Sequence, residues 1–119
     1  MLGGIPLDEI TGTYTGDWGT MYLIFIGNEV RGAYSHENGR LVGIIDGDVI
    51  RATWCQDQAA RTPTGSAEFR FTKQDNIVSL DGRWTYADSP TDWREDWDIN
   101  HSDVEDAELA QSARVAACP

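Results

Sequence analysis

Apolar and polar side chains alternate with period two through most of this 119-residue chain, and turn residues cut the alternation at short intervals. Successive side chains of a β-strand face opposite sides, so the pattern requires half-buried antiparallel strands and leaves little room for helix. Eight runs carry it: Ile10–Gly16, Thr20–Ile26, Glu29–His36, Arg40–Asp46, Val49–Gln56, Ser66–Lys73, Ile77–Ala87 and Asp92–His101. Gly27-Asn28, Glu37-Asn38-Gly39, Gly47-Asp48 and Asp75-Asn76 lie between runs and tolerate the positive φ of tight hairpins. Each strand should therefore pair with the next.

A second regularity places a small residue two positions before a large one on the same face. Gly12 precedes Tyr14, Gly32 precedes Tyr34, Gly43 precedes Ile45, Ala52 precedes Trp54 and Gly82 precedes Trp84. Small residues staggered against bulky ones suit the interior of a tightly curved barrel. The expected fold is all-β, a single antiparallel up-and-down barrel of about eight strands over residues 1–101. Its inward set is Ile10, Tyr14, Tyr22, Ile24, Val30, Tyr34, Leu41, Ile45, Ile50, Trp54, Phe69, Phe71, Leu80, Trp84 and Tyr86. Residues 102–119 form an acidic, alanine-rich tail in which Ser102 and Glu105 make a capping box, so a short helix or a disordered tail follows the barrel.

Glycine and threonine next to aromatic residues give this alternation a rhythm: Gly12-Thr13-Tyr14, Gly19-Thr20-Met21-Tyr22, Gly32-Ala33-Tyr34 and Gly82-Arg83-Trp84. Over roughly residues 9–100 the chain resembles calycin barrels of the avidin and lipocalin type. It is also similar to small bacterial domains of undefined function built from Gly-Thr-Trp strands. By strand position, the resemblance implies that Thr20 and Tyr34 line a ligand pocket, that His36 stands where another hydroxyl is expected, and that Trp54, Trp84 and Trp93 lie near its aromatic wall. The asparagine that avidins carry in the first loop has no counterpart in Gly16-Asp17-Trp18, so the resemblance does not extend to biotin.

Twenty acidic against nine basic residues give a net charge of -11, which repels phosphate backbones and anionic membranes and sets nucleic acid and membrane aside as partners. No stretch has the length of a membrane span or the pattern of a signal peptide, and the expected location is cytoplasmic. Cys55 and Cys118 lack metal-ligand spacing and read as two free thiols there, a disulfide between them being the alternative. No spacing announces a metal, a cofactor or a nucleophilic motif.

Aromatic side chains dominate the inferred interior and could line a cavity for a flat or amphipathic ligand, or fill the barrel completely. The candidate ligand-binding residues are Thr20, Tyr22, Tyr34, His36, Trp54, Trp84, Trp93 and Glu95. A non-catalytic binding barrel is the leading reading; an interaction or inhibitor module with a filled core is the alternative. An enzyme using a His36/Glu95 pair at the barrel mouth is the third. Strand two is apolar on both faces, and with Tyr22 inward its Met21, Leu23 and Phe25 would point out. Such a stripe is an association site, so a homodimer through this strand is expected.

Overall fold

The computed structural model describes residues 7–57, 62–75 and 77–118. A short helix, α1 (Leu7–Ile10), leads into eight strands: β1 (Gly12–Gly16), β2 (Gly19–Ile26), β3 (Glu29–Tyr34), β4 (Gly39–Asp46), β5 (Val49–Cys55), β6 (Thr64–Gln74), β7 (Ile77–Tyr86) and β8 (Ile99–Ser102). Each pairs antiparallel with the next and β8 returns to β1, closing an up-and-down barrel. Helix α2 (Ala107–Arg114) follows. Gly27 and Gly47 take positive φ at 59° and 65°, as their tight turns require. Asp75 does so at 52°, while Asn76, the other half of that expected turn, lies outside the described residues.

Ile10 belongs to the helical turn rather than to the first strand, yet it remains in the core. The Tyr14 hydroxyl donates to its carbonyl at 2.6 Å. Around that contact Leu23, Val30, Ile50 and Leu80 fill one end of the barrel. A filled end leaves any ligand space to the other. That opposite end, the mouth, carries the connections at residues 17–18, 35–38 and 87–98.

Strand β2 has the opposite phase to the one expected. Met21, Leu23 and Phe25 are core residues, at 1%, 0% and 8% exposure, and Tyr22 and Ile24 face out. Both faces of β2 are apolar, so alternation alone could not choose between them, and the neighbouring strands decide. Leu23 pairs with Gly12 on one side and Gly32 on the other, and a Cβ at Gly32 would stand only 2.7 Å from its Cδ2. Leu23 thus occupies space left by Gly32. Tyr22 instead packs under α2 with Ala33, Ala110 and Ala113, whose small side chains let the helix approach closely. The Met21, Leu23 and Phe25 stripe is therefore no interface, and the homodimer loses the surface that suggested it.

Helix α2 is capped by Asp106, whose carboxylate accepts from the Leu109 amide at 3.0 Å, not by Ser102, which ends β8. The chain after it crosses the outside of the barrel. The Arg31 guanidinium donates to the Ala116 carbonyl at 3.1 Å, and Cys118 is disulfide-bonded to Cys55. The two cysteines are not free thiols. The disulfide given as the alternative is the arrangement that forms. No helix among the described residues is long and apolar enough to cross a membrane.

Two stability measurements check this packing. Leu23→Ala should cost about 2–5 kcal/mol in urea denaturation, and Leu23→Asp should unfold the protein rather than yield a soluble monomer, because it buries an unpaired carboxylate. The cystine joins residues 63 apart in sequence, so reducing it should lower stability by about 4 kcal/mol through the loop entropy returned to the unfolded chain.

Candidate functional site

The last strand is where regular alternation fails. Trp84 of β7 bridges to Arg94, whereas Leu80 pairs with Ile99, so four steps along β7 face five along the opposing chain. One extra residue makes a β-bulge, and a one-residue offset reverses which side chains face in. Regular β8 pairing is accordingly confined to Ile99–Ser102 rather than starting at Asp92. Arg94, as the cross-strand partner of Trp84, shares the inner face with it, and Trp93 and Glu95 turn outward. Below the bulge Trp97 enters the barrel, 3% exposed, edge-on to Tyr34 at 5.2 Å and to Phe69 at 5.1 Å between ring centroids.

Gly82 makes this entry possible. A Cβ there would lie 2.1 Å from the Trp97 carbonyl oxygen and 2.6 Å from the Phe69 ring, so no other residue fits without moving backbone. The Asp98 carboxylate then accepts from the Gly82 amide at 3.1 Å, fixing the segment to β7. A pocket of about 170 Å³ opens above, lined by Trp18, His36, Trp54, Gln56, Trp84, Tyr86 and Trp97.

Its walls are held by their own polar atoms. The Trp54 indole donates to the Thr85 carbonyl at 3.0 Å, and Trp84 donates to the Asp96 carboxylate at 2.6 Å. Trp18 donates to the Asp96 carbonyl at 3.0 Å, so one residue pins two tryptophans. The rings meet edge to face, Trp18 against Trp84 at 90° and Trp54 against Trp84 at 83°, like the sides of a box. Tyr34 supports the floor, its hydroxyl donating to Gln56 Oε1 at 2.8 Å. The indole N–H of Trp97 is buried and has no hydrogen-bond partner.

Of the expected ligand residues, His36, Trp54 and Trp84 line the pocket and Tyr34 lies directly beneath it. His36 does so from a 3-10 turn beyond the end of β3, with its ring 5.0 Å from that of Trp18. Thr20 faces the outside beside Thr13, Thr15 and Glu108, and Tyr22 lies under α2, both for the phase reason given for β2. Trp93 stacks outside beneath the Arg83 guanidinium at 4.0 Å. Glu95 lines an outer groove with Glu68, Arg70 and Arg83, so the His36/Glu95 pair does not form. Trp18 and Gln56 were not anticipated. A tryptophan in a two-residue turn and a glutamine one step beyond a strand end carry no periodic signal, and Trp18 shows its role only once the 92–98 segment is placed. Among the described residues no cluster of His, Cys, Asp or Glu could hold a metal ion.

Burial pushes the Tyr34 hydroxyl well above the ordinary tyrosine range, with Arg40 partly opposing, and burial alone does the same to Tyr14. A folded-state value raised above the unfolded one gives stability that is complete below about pH 10 and lost as pH climbs toward the folded value. Alkaline titration followed at the tyrosinate absorbance should therefore leave Tyr14 and Tyr34 un-ionised through that range, and stability should fall above it.

Comparison with protein-family models, with curated proteins and with solved structures finds no match to this chain. What carries over from the calycin resemblance is the barrel itself, eight antiparallel strands closed in sequence order.

Proposed function

We propose that this barrel binds one small planar molecule in the aromatic pocket at its mouth. The observation that carries the reading is the pocket itself, about 170 Å³ walled by four tryptophans and a tyrosine. The volume sets the size: a cavity of about 150 Å³ holds benzene, so 170 Å³ suits a molecule of one ring with a polar substituent. Four tryptophans and a tyrosine supply ring faces, and their indole bonds to backbone and to Asp96 hold the box in shape before a ligand arrives. Among the described residues that line the space, no carboxylate stands beside His36, which favours binding over catalysis.

A second reading, contact with another protein, has its own observation. Ile26 and Ile44 are 59% and 52% exposed and flank Glu29 on adjoining strands of the outer face.

Benzamide, a planar one-ring probe with a carbonyl acceptor, tests the ligand reading through tryptophan fluorescence. Saturable quenching is expected, since four of the five tryptophans line the site. Trp54→Leu removes one aromatic wall and should weaken benzamide binding about 2- to 10-fold, the worth of one ring–ring contact. No saturable response from the unaltered protein up to the probe's solubility would sink the reading.

A further inference from the structure

We infer that the occupant of this pocket is an aromatic carboxylate, its ring inside the box and its anionic group held at the rim by Arg94. The inference rests on the proposed ligand reading and adds to it the charge of the ligand. The bulge between Arg94 and Ile99 is what makes it: without the extra residue Arg94 would face the outside of the barrel with Trp93 and Glu95 in its place. Instead the Arg94 guanidinium lies over two pocket walls, 5.3 Å from the Trp84 ring centre and 5.2 Å from that of Tyr86.

Among the described arginines, Arg94 and Arg114 make no ion pair, and of the two Arg94 stands against rings that line the pocket. Arg31, Arg40, Arg51, Arg70 and Arg83 each pair with a carboxylate. Arg94 lies exposed at the pocket edge and, among the described residues, makes no ion pair, in a chain with twenty acidic side chains available. Its planar fork of donors matches a carboxylate bidentately. The acceptor that Gln56 Oε1 offers is taken by Tyr34. A cationic donor fork beside an unfilled aromatic space calls for an acceptor-rich ligand.

An organic cation is the competing chemistry, because aromatic boxes bind ammonium groups and the protein is strongly acidic overall. Two facts weigh against it. The Arg94 guanidinium stands 5.3 Å from the Trp84 ring centre and 5.2 Å from that of Tyr86, so a second cation in the box would meet a like charge. The net charge of -11 is spread over the surface and screened beyond about 8 Å at physiological salt, whereas the guanidinium acts at contact distance.

Benzoate, benzamide and benzamidine are planar isosteres that differ chiefly in charge, and their affinities for the intact protein separate the possibilities. Benzoate should bind at least about tenfold more tightly than benzamide, as charge-assisted bonds are roughly twice as strong as neutral ones, and benzamidine should bind most weakly. Arg94→Gln should erase the advantage of benzoate over benzamide measured on the same variant, and Arg94→Lys should restore part of it by keeping the charge without the fork. Raising NaCl to about 1 M should shrink the advantage, since a rim contact is screened. Equal affinity for benzoate and benzamide, or a preference for benzamidine, overturns the carboxylate while leaving a ligand barrel in place. A benzoate preference that survives Arg94→Gln overturns the role of Arg94. Absence of binding by all three overturns both this inference and the ligand reading beneath it.

Discussion

The contact between Gly82 and the Trp97 carbonyl governs everything at the open end of this barrel. A peptide group can occupy the volume of a missing Cβ only at glycine, and the chain uses that allowance to bring residues 97–98 across β7 one residue out of step. From that offset follow the burial of Trp97, the inward side chain of Arg94 and the outward ones of Trp93 and Glu95. The first loop is then tied down as well. The Asp17 amide donates to the Asp98 carbonyl, the Asp98 amide donates to the Asp17 carboxylate, and Trp18 reaches the Asp96 carbonyl. Trp18 is held as a pocket wall by a segment about eighty residues away in sequence.

The strands and their pairing could be read from the sequence because alternation and turn chemistry are local properties, each confined to about ten residues. The phase of a strand is local only when one of its faces is polar. Strand β2 offers no such contrast, and its phase is set by neighbours such as Gly32, which lies beside Leu23 in space but belongs to another strand. The bulge is worse disguised. Trp93, Glu95 and Trp97 share a parity and look like one face, yet only Trp97 ends inside, because a single extra residue between Arg94 and Ile99 has no signature in the run itself. The candidate site divides along the same line. Trp54, Trp84, Tyr34 and His36 stand on or next to strands whose phase was readable, while Thr20, Tyr22, Trp93 and Glu95 stand on the two strands whose phase was not.

Strand β5 links the two sides of the barrel. Trp54 projects into the pocket and Cys55, one residue later, projects outward to the cystine, since adjacent strand positions face opposite ways. The C-terminal segment, held by α2 over Tyr22 and by Arg31 at Ala116, is thereby fastened beside the strand end that carries Trp54 and Gln56. The cystine constrains the backbone from outside at the place where the Trp54 indole must meet the Thr85 carbonyl inside. A tail that covers an apolar strand face and also braces a pocket wall accounts for why so small a barrel can keep one end partly empty. Its filled end supplies the core, and the open end draws rigidity from backbone acceptors, one aspartate and one covalent bond instead of from close packing.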